Sequence, residues 1–244
     1  MVLPFPSSYR GSLLKTLILP LLLFILLFEL FYQQKLDFVL ADWWYQLQGG
    51  QWALQQHWLM QSLLHDRVRD FNLLLVLALL GYALWQRWVG KAALLSHALW
   101  TLLYSVLSCF ALVSLLKHLL PMECPWDLLQ FGGDMPFYGL LQQRPDAAPV
   151  HLCFPAGHAS IGFAWLGLYY FFLDLKPQWA NKALAGAALA GTVLGAVQQS
   201  RGAHFFSHDI FTAALCWTVC TVIYYIRLPK PTAQARLAGV DHNA

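Results

Sequence analysis

The stretch AALLSHALWTLLYSVLSCFALVSLLK, residues 92–117, decides the fold class of this chain. It carries no Asp, Glu, Lys or Arg from Ala92 to Leu116, and Lys117 ends it. About 20 apolar residues are enough for a helix to cross the roughly 30 Å hydrocarbon layer of a bilayer. This segment therefore predicts a membrane-spanning helix with Lys117 at one membrane surface.

The rest of the chain has the same apolar character. Of its 244 residues, 59% are hydrophobic and 11% are charged, whereas soluble domains are roughly half apolar and a quarter charged. Apolar stretches of suitable length predict six spans: Thr16–Tyr32, Phe71–Trp88, Ala92–Leu116, Ala159–Leu175, Ala183–Gln199 and Ile210–Ile226. We expect an all-α integral membrane protein in which one six-helix bundle forms a single domain over residues 1–244.

Lys and Arg are unevenly shared between the two membrane faces that these spans define. One face holds both termini and collects basic residues near the span ends: Arg10, Lys15, Arg87, Lys91, Lys176, Lys182, Arg227, Lys230 and Arg236. Cytoplasmic loops carry such an excess, so we expect both termini in the cytoplasm, with residues 227–244 as a disordered tail. Lys117 then lies on the exported face. The net charge of +3 gives no support for nucleic-acid binding.

The segment from Leu36 to Asp70, between the first two spans, is too polar to cross a membrane. It is rich in the aromatic residues that favour the headgroup layer: Trp43, Trp44, Tyr45, Trp52 and Trp58. Trp52, Leu59 and Leu63 would share one stripe of a helix. An interfacial amphipathic helix is therefore expected, and it would either guide lipids towards a site or only anchor the bundle.

Three polar clusters fall on the exported face in this topology. They are KHLLPMECPWDL at 117–128, FPAGHAS at 154–160 and SRGAHFFSHD at 200–209. Two antiparallel spans connect the second cluster to the third and return the chain to the same face. His158 and His204 can therefore meet, and the convergence predicts an active site.

The residue types in these clusters suit phosphate chemistry. A neutral imidazole can attack phosphorus while a protonated imidazole gives its proton to the departing oxygen, which the pair His158 and His204 can do. Lys117 and Arg201 can supply positive charge to the phosphate oxygens. Peptide N–H groups at the start of the fourth span favour an anion, and Gly157 lets the backbone approach it closely. No metal and no cofactor is required.

Together the clusters resemble the type 2 phosphatidic acid phosphatase superfamily, membrane relatives of the vanadium haloperoxidases, over roughly Ala92 to Ile226. That family combines a Lys followed after six residues by Arg-Pro, then Pro-Ser-Gly-His, then Ser-Arg, five residues, His, three residues and Asp. The resemblance implies that His158 is the acid. It also implies that His204 is the nucleophile, which forms a phosphohistidine and is oriented by the Asp.

The first two clusters each depart from the family pattern. ProAlaGlyHis replaces ProSerGlyHis and loses a hydroxyl, for which Ser160, two residues beyond His158, can compensate. Cys124 stands where the Arg of Arg-Pro is expected. Arg144, which precedes a proline in the same loop, is the candidate replacement for phosphate binding.

The third cluster departs at two positions. Arg201 precedes His204 by three residues, and Gln198 takes the usual position of the arginine six residues before. A shift of three residues along a helix keeps roughly the same face, so Arg201 stays a phosphate-binding candidate. His208 lies four residues after His204, and Asp209 follows it. Helical geometry favours His208 as the orienting partner, whereas a carboxylate better stabilises an imidazolium and is preferred if the turn is irregular.

The resemblance implies a phosphatase of lipid phosphates or diphosphates in a bacterial inner membrane, acting at the periplasmic face. Undecaprenyl diphosphate, phosphatidylglycerol phosphate and the phosphates of lipid A are candidate substrates. Phosphotransfer from lipid to lipid, a haem-binding protein and a non-catalytic scaffold are the alternatives, although paired haem ligands would lie inside spans. The sequence leaves open the oligomeric state and whether Cys124 and Cys153 form a disulfide.

Overall fold

The computed structural model describes residues 13–33, 35–90, 93–140, 142–145 and 149–228. The seven longer helices of this part of the chain are α1 Leu14–Gln33, α2 Leu36–Leu47, α3 Leu59–Val89, α4 Ala93–Leu119, α5 Ser160–Leu175, α6 Pro177–Ser200 and α7 Phe206–Arg227. The tail predicted after Arg227 lies outside the described residues from 229 onwards. So do four of the basic residues used to assign the cytoplasmic face, namely Arg10, Lys91, Lys230 and Arg236.

Five of these helices are long and apolar enough to cross a membrane, namely α1, α3, α4, α6 and α7. Helix α5 is also apolar but shorter, since it has only 16 residues. Its segments of 4, 4 and 8 residues change from α to 3-10 geometry at Ala164–Gly167 and back. Its length of about 26 Å is slightly less than a hydrocarbon layer. The prediction of an all-helical membrane protein is confirmed with five candidate spans, and the sixth span stays a prediction.

Helix α4 lies at the centre of the bundle, packed against α3, α5 and α7. Its residues Val106 and Cys109 are fully buried against Cys216 and Cys220 of α7. Helices α5 and α6 approach even more closely, because a methyl group at Gly162 would overlap the backbone of Gly191. Small residues permit such contact between helices in lipid, where apolar burial alone does not drive association.

The antiparallel order of the helices brings four helix ends together. We call the place where α4 and α6 end and α5 and α7 begin the motif end of the bundle. The described parts of the loop between α4 and α5, 120–140, 142–145 and 149–159, lie over it, and a disulfide joins Cys124 to Cys153. The amide of Met122 also donates to the carbonyl of His151 at 3.1 Å. The disulfide that the sequence left open is therefore formed.

Helix α2 and the turn after it also pack on the motif end. Asp37 accepts a hydrogen bond from the amide of Ser207 at 2.9 Å, and Gln48 donates to the carbonyl of Ser200 at 2.8 Å. The Trp52 ring lies so close to Gly202 that any side chain there would overlap it. These contacts fix the segment that joins α6 to α7.

The single helical stripe expected over Trp52, Leu59 and Leu63 is wrong. Gly49 and Gly50 adopt φ values of +78° and +73° and end the helix before Trp52, whereas α3 begins only at Leu59. Glycine reaches this left-handed region without steric cost and so separates two helices here. The interfacial position of α2 itself stays a prediction.

Candidate active site

A cavity of about 620 Å³ opens at the motif end between α3, α4 and the start of α5. Five of the predicted site residues line it, and they come from all three polar clusters: Lys117, Gly157, His158, Ser160 and His204. A Cβ at position 157 would lie 2.8 Å from Cε of Lys117, so a side chain there would displace the end of this lysine. The clusters that lie far apart in sequence thus meet in one place.

The cavity is polar at one end, and its wall is apolar along the rest of its length. Leu73 and Val76 of α3 face Leu107, Phe110 and Val113 of α4 along its wall. Leu107 precedes Lys117 by ten residues, which places it about 15 Å deeper along the helix. Both α3 and α4 are long and apolar enough to cross a membrane, and the apolar wall of the cavity runs along them away from its polar end.

His158 stands at the polar end in a defined tautomer. Its Nε2 lies 2.8 Å from the carbonyl oxygen of Leu64, and a carbonyl only accepts, so Nε2 carries a proton. The ring stacks on that of His65, with centroids 4.4 Å apart and planes 13° from parallel. Burial lowers the pKa of His158 to about 4, although the Leu64 carbonyl acts against this. The imidazole is therefore neutral near pH 7 when the cavity holds no anion.

His204 presents a neutral imidazole to the same cavity. Burial, and then the nearby Lys117 ammonium, lower the pKa of His204 well below its usual value. Its Nδ1 is buried and has no hydrogen-bond partner among the residues that the structure describes. A neutral ring with a lone pair on one nitrogen is the form in which histidine acts as a nucleophile.

His208 lies directly beside His204, with ring centroids 5.8 Å apart. Its Nδ1 lies 2.9 Å from the carbonyl oxygen of Cys153, so this nitrogen carries the proton. Its Nε2 is buried and, within the described part of the chain, unpartnered. Two unpaired ring nitrogens, Nδ1 of His204 and Nε2 of His208, thus belong to neighbouring rings.

Asp209 lies on a different face of α7. Its Oδ2 accepts a hydrogen bond of 2.5 Å from Nε2 of Gln199, and it lines a second cavity of about 460 Å³ whose wall is almost wholly apolar. That cavity contains none of the residues of the polar clusters apart from Asp209 and Phe206. The structure brings His208, and not Asp209, next to His204.

Arg201 is buried, with 5% of its surface exposed, and does not line the cavity. Its Nε donates to the carbonyl of Gln55 at 3.0 Å, its Nη1 to Oε1 of Gln198 at 2.9 Å, and its Nη2 to Oε1 of Gln61. Gln198 itself reaches the cavity wall. Arg201 thus joins the end of α6 to Gln55, just before α3, and to Gln61 in the first turn of α3.

Arg144 is held within the long loop. Its guanidinium forms an ion pair of 2.5 Å with Glu123, whose side chain is fully buried, and donates to the carbonyls of Pro121 and Pro149. The ring of Tyr138 lies 5.3 Å from its Cζ. Arg144 does not line the cavity that holds the histidines.

The first turns of α3 contribute polar groups that the sequence motifs did not indicate. His65, Arg69 and Asp70 all line the cavity. Nδ1 of His65 pairs with Oδ1 of Asp66 at 2.9 Å, and Arg69 meets Asp70 at 3.3 Å. The available signal was the run HDRVRD at 65–70, in which His65 and Arg69 have the i, i+4 spacing of one helix face.

Comparison with known proteins gives one match. A family model described as the PAP2 superfamily matches residues 98–231, which is more than half of the chain. No curated protein and no solved structure matches it significantly. The matched segment contains Lys117, His158 and His204, whereas His65 and Arg69 precede it.

Proposed function

The chain belongs to the PAP2 superfamily, and we propose that it is a lipid phosphatase that removes phosphate at the motif end of the bundle. The family supports a phosphatase acting on phosphate esters. The observation that carries the lipid substrate is the shape of the cavity, because its polar end holds His158, His204 and Lys117 while its wall along α3 and α4 is apolar. A phosphate with a long apolar tail fits both parts.

In the proposed first step, Nε2 of His204 attacks phosphorus. For this it needs its lone pair on Nε2 and its proton on Nδ1. We propose that this Nδ1 donates to Nε2 of His208 once substrate is bound, which would fix the tautomer, since both buried atoms lack a partner in the described part of the chain. His208 in turn donates from its Nδ1 to the carbonyl of Cys153. We therefore propose His208, and not Asp209, as the residue that positions the nucleophile.

The leaving oxygen receives its proton from His158. Because Nε2 of His158 already donates to Leu64, Nδ1 is the nitrogen that serves the leaving oxygen. With a pKa of about 4, His158 is neutral near pH 7 before substrate binds, so the proton that it donates arrives with the substrate. A phosphate monoester loses its second proton near pH 6, and a bound anion favours the imidazolium.

Two cations line the cavity and are proposed to bind the phosphate oxygens. Lys117 extends from the end of α4, and Arg69 extends from the first turns of α3. Arg69 is 63% exposed, and its hydrogen-bond partner in the described chain is the exposed Asp70 at 3.3 Å. Such surface pairs contribute about 0–1 kcal/mol, so its donors can turn to an anion. Arg69 thus takes the role that the family gives to the arginine replaced by Cys124.

The proposed site faces the periplasm of a bacterial inner membrane. The Lys and Arg distribution supports this orientation, with α5 as the sixth span and both termini in the cytoplasm. A disulfide between Cys124 and Cys153 also fits an oxidising compartment. Lipid monophosphates and diphosphates, including phosphatidic acid, undecaprenyl diphosphate and phosphatidylglycerol phosphate, form the substrate class.

The proposal is tested by measuring phosphate release from these lipids in mixed micelles. We expect the wild type to release phosphate, His158→Ala and His204→Ala to lose at least about 10³-fold in rate, and His57→Ala to match the wild type. His57 is an exposed histidine that does not line the cavity. Equal release by all four proteins would contradict the proposal. Phosphate that appears only when a second lipid is added, and on that lipid, would instead indicate a phosphotransferase.

A further inference from the structure

His65 and Asp66, in the first turns of α3, form a dyad at the edge of the proposed site. Nδ1 of His65 lies 2.9 Å from Oδ1 of Asp66. A carboxylate accepts, so Nδ1 of a neutral His65 carries the proton and Nε2 keeps a lone pair. A carboxylate that fixes the tautomer of a histidine in this way also stabilises the imidazolium that forms when the ring takes a proton.

The dyad is placed where the second half of the reaction occurs. His65 lines the same cavity as His158 and His204 and stacks on His158 at 4.4 Å. It is about one-third exposed, so water reaches it. Neither His65 nor Asp66 lies in the segment matched by the family.

We propose that His65 is the general base that activates water to hydrolyse the phosphohistidine on His204. This inference rests on the proposed function. Nε2 of His65 takes a proton from water as the water oxygen forms a bond to phosphorus. The bond between phosphorus and Nε2 of His204 breaks, and its electron pair returns to that nitrogen. Inorganic phosphate leaves, His204 is neutral again, and the proton on His65 passes to solvent.

The stacked rings explain why two histidines divide the proton transfers. His158 has its Nε2 engaged by the carbonyl of Leu64, and it becomes neutral when it protonates the leaving group. Two imidazolium rings stacked at 4.4 Å would repel each other. Positive charge can therefore develop on His65 in the second step only because His158 has just lost its own charge. His158 serves the first step and His65 the second.

The test separates the two steps in the full-length protein. Radiolabelled phosphatidic acid in mixed micelles is mixed rapidly with enzyme, and diacylglycerol, inorganic phosphate and alkali-stable phosphoenzyme are followed together. In His65→Ala we expect a burst of diacylglycerol close to one equivalent per chain, followed by phosphate release slowed at least about 100-fold. Labelled phosphoenzyme then accumulates. Imidazole added to the buffer is expected to restore part of the phosphate release.

Two further variants keep the result decisive. Asp66→Asn preserves the shape of the dyad and is expected to slow the same step by a smaller factor, whereas His57→Ala is expected to behave as the wild type. A parallel fall of diacylglycerol and phosphate without a burst, or unchanged turnover in His65→Ala, would overturn the role of His65. Failure of the proposed function looks different, because His204→Ala would then turn over at the wild-type rate and no phosphoenzyme would form in any variant.

Discussion

Two regions of the molecule line the same cavity but differ in how they can be recognised. The ends of α4 and α6 and the starts of α5 and α7 lie within the segment matched by the family and carry Lys117, His158 and His204. The first turns of α3 precede that segment and carry His65 and Arg69. The matched segment thus holds the proposed nucleophile and acid. The proposed general base and the proposed phosphate-binding arginine come from a neighbouring helix that carries no family motif.

The largest effect is expected from the matched segment. Lys117→Ala removes a cation that lines the cavity and lies close enough to His204 to lower its pKa, and loss of one preorganised charge at a transition state typically costs about 10²–10³-fold in rate. We expect a decrease of this size in kcat/KM for lipid phosphate, measured in mixed micelles. If Lys117→Ala lowered kcat/KM less than Arg69→Ala, α3 and not the matched segment would supply the more important cation.

A smaller effect is expected from α3. Arg69→Ala should lower kcat/KM by about 10- to 100-fold, because the exposed Arg69 binds the phosphate less tightly than the half-buried Lys117. Arg144→Ala is the matched control. It should change kcat/KM less than about threefold but lower the thermal midpoint, because the buried carboxylate of Glu123 loses its cationic partner. If Arg144→Ala lost activity without losing stability, Arg144 would be the phosphate ligand.

The orienting role can be tested within the matched segment alone. His208→Ala should lower kcat by about 10- to 100-fold and leave KM nearly unchanged, since the nucleophile loses the acceptor that selects its tautomer. Asp209→Asn should keep most of the activity, because the amide can still pair with Gln199. Greater loss in Asp209→Asn than in His208→Ala would return the orienting role to the carboxylate.

The smallest effect concerns pH and stability. His158 has a pKa of about 4 in the folded chain and about 6.5 when unfolded, so the unfolded chain binds more protons between these values. Its contribution to stability is complete above pH 6.5 and is lost as the pH falls to 4, at a cost of about 1–3 kcal/mol. The thermal unfolding midpoint of the wild type in detergent should be lower at pH 5 than at pH 7. An equal drop in His158→Asn would assign it to other groups.

The sequence predicted the matched segment's part of the site more fully than the part contributed by α3. The apolar lengths, the order of the three clusters and their return to one face were enough to bring His158 and His204 together. Arg144 was expected to replace the arginine missing at Cys124 because of its neighbouring proline alone, but Glu123 and two carbonyls bind that guanidinium. A buried carboxylate with no sequence signature determines this pairing.

The contribution of α3 was harder to predict because it depends on where two helices begin and end. The turn at Gly49 and Gly50 ends α2, and α3, which carries His65 against His158, begins only at Leu59. The sequence analysis placed HDRVRD in the polar segment from Leu36 to Asp70 but gave no reason to prefer one of its faces. For Asp209 the sequence set a condition, namely an irregular turn, which is not met: the helix is regular from Phe206 onwards, and His208 lies beside His204.

The phosphohistidine on His204 is the central claim, and direct identification of the labelled residue tests it. Wild-type protein is mixed with radiolabelled phosphatidic acid, quenched in alkali within the first turnover and digested for mass spectrometry. We predict a phosphate on His204, more of it in His65→Ala, and none in His204→Ala. Label on another side chain, or wild-type turnover by His204→Ala, would contradict the account.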